Sequence, residues 1–186
     1  MKRILLALII INYSFTNSFA QENKIKSSNF KLFNRTSIGY TFGLNDVFEN
    51  KKANALHIKT VIGFALPKVG FGIGLETTTF NTVGSGNNSR FNTLAFTGNL
   101  HALAKPISDE SLNFFVKGGV GYSPRVFNTY DKGLTYEGAT GVIITSKKKN
   151  RYFFEAKYHY QALNTIATST GNLEVKSIGL GVGTWF

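Results

Sequence analysis

At 186 residues the chain has room for one domain, and without cysteine it can form neither a disulfide nor a thiolate metal site. A formal net charge of +11 would suit nucleic acid, but the basic residues are scattered apart from Lys147-Lys-Lys-Asn-Arg151. No recognition helix or paired basic and aromatic motif accompanies them, so nucleic acid is set aside in favour of anionic lipid or surface polysaccharide.

The first element in chain order is an export signal. Lys2 and Arg3 precede the apolar run Ile4 to Ile11, and Ser18-Phe19-Ala20 sets small residues three and one before a cut. This predicts a signal peptide over residues 1–20, cleaved between Ala20 and Gln21. The apolar run falls short of the ~20 residues of a spanning helix. The absence of cysteine excludes a lipobox. Cleavage removes Lys2 and Arg3 and takes the charge from +11 to +9. Residues 21–34 are expected to be a short periplasmic segment, and residues 35–186 the folded domain.

From there period two recurs and no helical period holds. The predicted strands run in order from Thr36 to Leu44, Ala55 to Leu66, Val69 to Glu76, Phe91 to Ala104, Leu112 to Tyr122, Leu134 to Ile144, Arg151 to Gln161, and near Ser177 to Phe186. Asn45 to Asn54 and Thr79 to Arg90 are expected to be loops, the second mobile because of Gly84-Ser-Gly-Asn-Asn-Ser89. Leu173 and Val175 stand out of phase with Ile178 and Leu180, which predicts a bulge or a late strand start near Ser177. The connections alternate, about ten residues after odd strands and fewer after even ones, as in small membrane barrels with long external loops.

One face of these strands is greasy and the other is rich in glycine. In the last strand Ile178, Leu180, Val182, Thr184 and Phe186 oppose Gly179, Gly181 and Gly183. A water-facing surface has no need of such small residues, whereas a narrow lumen needs them to admit long side chains from neighbouring strands. Tyrosine and phenylalanine near strand ends on the greasy face suit an aromatic girdle. The expected fold is therefore an all-β, eight-stranded antiparallel up-and-down transmembrane β-barrel. The alternative is a secreted soluble barrel that binds a ligand, which shares the strand count and export signal.

This orientation turns Lys59, Glu76, Lys117, Glu137, Arg151, Glu155 and Lys157 inward, with His57 or His159. Buried charges must be paired, so these residues predict a luminal network that fills the barrel and fixes its register. An eight-stranded barrel is filled by side chains alone, which argues against a diffusion pore and leaves a narrow ion path as the alternative. Phe80, Phe127 and Tyr130 are candidates for contacts made by external loops.

Arg151-Tyr-Phe-Phe-Glu-Ala-Lys-Tyr-His-Tyr160 and Ser177 to Phe186 resemble the penultimate and closing strands of small eight-stranded outer-membrane β-barrel proteins of Gram-negative bacteria, especially the generic barrel-domain proteins of Bacteroidetes type. The resemblance implies outer-membrane localisation, contact with outer-membrane lipids and lipopolysaccharide, and delivery by periplasmic chaperones to the barrel-assembly machinery. Ile178, Leu180, Val182, Trp185 and Phe186 are similar to the signal that machinery reads. It implies no single activity, since proteins of this shape serve as structural proteins, adhesins or enzymes.

An enzyme that modifies lipid A would need a serine, a histidine and a carboxylate near the outer rim. Eight-stranded barrels that modify lipid A resemble one another in this placement, but His159 is followed by Tyr160-Gln161 and so lacks the His-x-Ser spacing of the deacylase family. His101 is expected near the periplasmic turn and His57 at the extracellular start of its strand, with no serine partner assignable. No catalytic residue, cofactor or metal site is expected, and three histidines on separate strands make a weak metal claim.

Overall fold

Alternation of apolar with small or polar residues closes the chain on itself in the computed structural model. The structure describes residues 31–48, 51–83, 90–106, 112–127, 132–147, 149–164 and 172–186. The expected signal peptide, with Ala20 and Gln21, and Tyr130 lie outside them.

Eight long strands form the wall: β1 Lys31–Gly43, β3 Lys51–Ala65, β4 Val69–Val83, β5 Arg90–Leu103, β6 Leu112–Ser123, β7 Gly133–Thr145, β8 Arg151–Asn164 and β9 Asn172–Trp185. Each pairs antiparallel with its sequence neighbour, and β1 pairs with both β3 and β9, so the wall closes, with residues 90–95 of β5 running past its ladder with β6. Closure pairs the backbone all the way round the barrel, the condition for a β-structure in hydrocarbon. The short strand β2, Asp46–Phe48, is a flap on the far end of β3. The start of β1 at Lys31 and the C-terminal Phe186, together with the strand ends at Ala65, Val69, Leu103, Leu112, Thr145 and Arg151, lie at one end of the barrel, called here the terminal end. The strand ends at Gly43, Lys51, Val83, Arg90, Ser123, Gly133, Asn164 and Asn172 lie at the far end, and the connections that join them are called here the far-end connections.

Several expectations are corrected. The first strand begins at Lys31 because Lys31 to Thr41 pair continuously with β3. The second long strand begins at Lys51, which removes half of the expected loop between Asn45 and Asn54. The third runs on to Val83, so Thr79 and Phe80 are strand residues and not loop residues. Thr77-Thr-Thr reads as loop by polarity, but threonine is β-branched and suits a strand once its backbone is paired. These extensions shorten the far connections and weaken the expected alternation of loop lengths. The last strand carries no bulge: β8 and β9 stay in one register from Asn164↔Asn172 to Arg151↔Trp185.

The wall is apolar outside. Ile73, Leu180 and Val120 are 79%, 71% and 69% exposed, with Ile38, Phe96, Leu100, Phe114 and Phe154 also open. Outward aromatics gather toward both ends, with Tyr40, Phe42, Tyr122 and Tyr136 at the far end and Phe64, Phe71, Tyr152 and Phe186 at the terminal end. The polar groups are inside. Strands of 12 to 15 residues are longer than the roughly 9–11 that a tilted strand needs to cross a bilayer.

Candidate functional site in the barrel lumen

The inward-facing residues sort into three layers. At the terminal end Phe33, Val61, Ala65, Leu103, Phe115, Ile143, Phe153 and Trp185 make an apolar cluster. Trp185 is its hub, with ring centroids 4.5 Å from His101, 5.7 Å from Phe33 and 6.1 Å from Phe115. The Arg35 guanidinium lies 5.5 Å above the Trp185 ring and 5.9 Å above Phe153, a cation–π arrangement. At the far end Ala53, Ala55, Phe80, Phe91, Leu163, Leu173 and Val175 make a second cluster, with Phe80 stacked on Phe91 at 4.6 Å.

Between these plugs lies the charged layer. Lys59 Nζ donates to Glu137 Oε1 at 2.7 Å and stands 3.4 Å from Glu76 Oε2. Lys117 Nζ bridges Glu155 Oε1 at 3.0 Å and Glu137 Oε1 at 3.2 Å. Lys59 and Glu76 pair directly across adjacent strands and Lys117–Glu137 joins neighbours β6 and β7, while Lys59–Glu137 and Lys117–Glu155 reach between non-adjacent strands, so the network ties β3, β4, β6, β7 and β8 together. Lys157 also faces in and is 5% exposed, beside Gly39. Glycines make the room these chains need. A Cβ on Gly39 would stand 3.0 Å from Lys157 Nζ, and one on Gly181 3.1 Å from Glu155 Oε1.

Above the ion pairs sits a cluster absent from the sequence expectation. His57 Nδ1 lies 3.0 Å from Glu76 Oε1, and His57 Nε2 lies 2.9 Å from Thr41 Oγ1. His159 Nε2 lies 3.5 Å from the same Glu76 oxygen and 3.0 Å from Thr135 Oγ1, with the two imidazole centroids 4.5 Å apart. Gln161 donates to Ser123 Oγ at 3.3 Å beside them. His57 stands near mid-strand rather than at the start of its strand, because β3 begins earlier than expected.

Thr41, His57 and Glu76 have the connectivity of a hydroxyl–imidazole–carboxylate relay. All three are buried inside the barrel, with Thr41 fully inaccessible. An acyl substrate in the membrane would meet the outer wall and not this hydroxyl.

The predicted charged residues all face inward. The structure joins Lys59, Glu76, Lys117, Glu137 and Glu155 in ion pairs, while Arg151 lies lower, in register with Trp185. Ile178, Leu180, Val182 and Phe186 face outward, but Trp185 points into the lumen. Phe80 is not a loop contact: it is fully buried in the far plug, because β4 continues through it. Phe127 is half-buried on the connection after β6. The plugs and the threonine partners Thr41, Thr78 and Thr135 were missed. The one legible trace was the inverted phase of Leu173 and Val175, read as a bulge, which instead marks apolar residues facing the lumen at the far end.

No protein-family model matches the chain, and no curated protein does. Solved structures similar to it include the outer membrane protein OprG of Pseudomonas aeruginosa, at 12% identity over 83% of this chain and 95% of that chain, with a TM-score of 0.49. The N-terminal β-barrel domain of Pseudomonas aeruginosa OprF follows at 15% identity, 83% and 97% coverage and a TM-score of 0.40. The outer membrane enzyme PagL stands at 12% identity, 81% and 97% coverage and 0.41. At these identities and scores the likeness says nothing of what this chain does.

Proposed function

We propose that the chain is a small outer-membrane β-barrel of a Gram-negative bacterium, with a structural or surface-interaction role through its far-end loops and no catalysis. One observation carries this reading: the exposed wall is apolar around the barrel while charges and imidazoles are turned inward. In water that distribution would expose a hydrophobic patch far larger than soluble monomers tolerate, whereas in a bilayer it matches the solvent on each side. The soluble-barrel alternative would require the opposite assignment of faces.

Eight strands put both termini on one side, the periplasmic one, and the far-end connections outside the cell. Those connections, with Phe127 half-buried at the root of one, are the surfaces offered to a glycan, matrix or protein. Outward Ile178, Leu180, Val182 and Phe186 suit recognition by the barrel-assembly machinery after chaperone delivery, as in the Bacteroidetes-type barrels that the last two strands resemble. Outer-membrane lipid and lipopolysaccharide would surround the wall.

The test is membrane fractionation with electrophoresis of heated and unheated samples. Outer-membrane recovery with a heat-dependent mobility shift is expected, and detergent-independent soluble protein would overturn the reading. Mass spectrometry of lipid A from cells with and without the gene addresses catalysis, with an unchanged acyl pattern expected.

A further inference from the structure

We propose that His57, Glu76 and His159 bind a divalent transition-metal ion of the zinc class inside the barrel. Their ligand atoms all lie within 4.8 Å of one another, and every contributing side chain is buried. Tetrahedral zinc with bonds of about 2.1 Å sets its ligand atoms roughly 3.4 Å apart. The observed separations of 3.0 Å from Glu76 Oε1 to His57 Nδ1 and 3.5 Å to His159 Nε2 bracket that spacing. Thr78 Oγ1, 3.2 Å from His57 Nδ1 and 3.5 Å from Glu76 Oε1, offers a neutral oxygen on the same side. Two imidazoles with one carboxylate are a donor set suited to zinc and its neighbours rather than to magnesium or calcium.

The surroundings orient two of the three ligands as a metal site requires, His57 and Glu76, while His159 Nδ1 has no hydrogen-bond partner among the described residues. With Nδ1 on the metal, His57 carries its proton on Nε2 and donates it to Thr41 Oγ1 at 2.9 Å. Lys59, 3.4 Å from Glu76 Oε2, steadies the other carboxylate oxygen and leaves Oε1 for the ion. Three strands supply the ligands, β3 and β4 from one side and β8 from across the lumen, so the ion would cross-link the barrel at mid-height.

Charge and access make the proposal specific. Lys59, Lys117 and Lys157 share the layer with Glu76, Glu137 and Glu155, so a dication adds charge that proton release must offset. Lys157 takes part in none of the ion pairs among the described residues, and its removal should favour the ion. The far plug of Phe80, Phe91, Leu163, Leu173 and Val175 covers the site, so loading accompanies folding.

The mature chain is refolded from urea into detergent micelles with zinc present, freed of unbound metal, treated with a chelator, and assayed for zinc. The folded, heat-modifiable wild type should retain one zinc per chain. His57→Gln, Glu76→Gln and His159→Gln should fall to background, while His101→Gln, whose ring packs on Trp185, keeps its zinc. Lys157→Met should half-saturate at a lower free zinc concentration than wild type during refolding. Cobalt(II)-loaded wild type should show the visible bands of a low-coordinate histidine site, a readout that survives even if a variant fails to fold. Folded wild type with no zinc above background and no cobalt bands would overturn the proposal, as would zinc that the chelator strips at once.

Discussion

Glu137 is the residue on which the luminal network turns, because one of its oxygens meets both Lys59 at 2.7 Å and Lys117 at 3.2 Å. Removing one partner of a buried pair is costly because the charge left behind has lost its counter-ion without regaining water. Glu137→Gln leaves Lys59 with Glu76 alone and Lys117 with Glu155 alone, and losing the two charged contacts should destabilise the barrel by about 1.5–3 kcal/mol. The measure is the urea midpoint of the heat-dependent mobility shift, and an unchanged midpoint would mean that the network does not hold register. That these residues face inward was legible, since parity along a strand follows from alternation alone. Their partners were not. Which charges meet across a lumen depends on the stagger of the strands, and the convergence of His57, Glu76 and His159 depends on three strands at one height.

At the scale of the element, β9 carries the sharpest correction. Its single register with β8 puts Leu173 and Val175 in the far plug and Glu174 and Lys176 outside. A bulge at Ser177 would exchange the two sets. Val175→Lys therefore buries an unpaired charge among Phe80, Phe91 and Leu163 and should lower the unfolding midpoint strongly, by roughly several kcal/mol. Lys176→Leu, on the outer rim, should change it little. The reverse ranking would restore the bulge. Apolar side chains on both parities blur the period-two signal, so an apolar lumen segment and a register slip look alike in sequence. The long β4 was hidden for a different reason: Thr77 to Thr82 are mostly polar and read as loop, yet they stay paired with β3 through Val83, as a strand end outside hydrocarbon would on the proposed reading.

For the whole molecule, closure, face assignment and a lumen filled by side chains were legible, while the apolar plugs at its two ends were not. The narrow ion path that a charged interior invites is blocked at both ends, by Phe80 stacked on Phe91 and by Trp185 amid Phe33, Phe115 and Phe153. Planar bilayers containing the refolded protein should show no unitary conductance, and steady openings in the wild type would mean that a plug moves. On the proposed reading, a sealed lumen leaves the outer wall and the far-end connections as the surfaces through which the protein would act, and the inverted polarity is what would place that wall in lipid.

The most direct measurement of that inversion is spin-label accessibility in β9 of the bilayer-reconstituted protein, made simple by the absence of native cysteine. Labels at Ile178, Leu180 and Val182 should collide readily with oxygen dissolved in the bilayer, and labels at Val175 and Ser177 should be shielded from it. Oxygen contact at Val175 and Ser177, with Ile178, Leu180 and Val182 open instead to a water-soluble nickel reagent, would contradict the account.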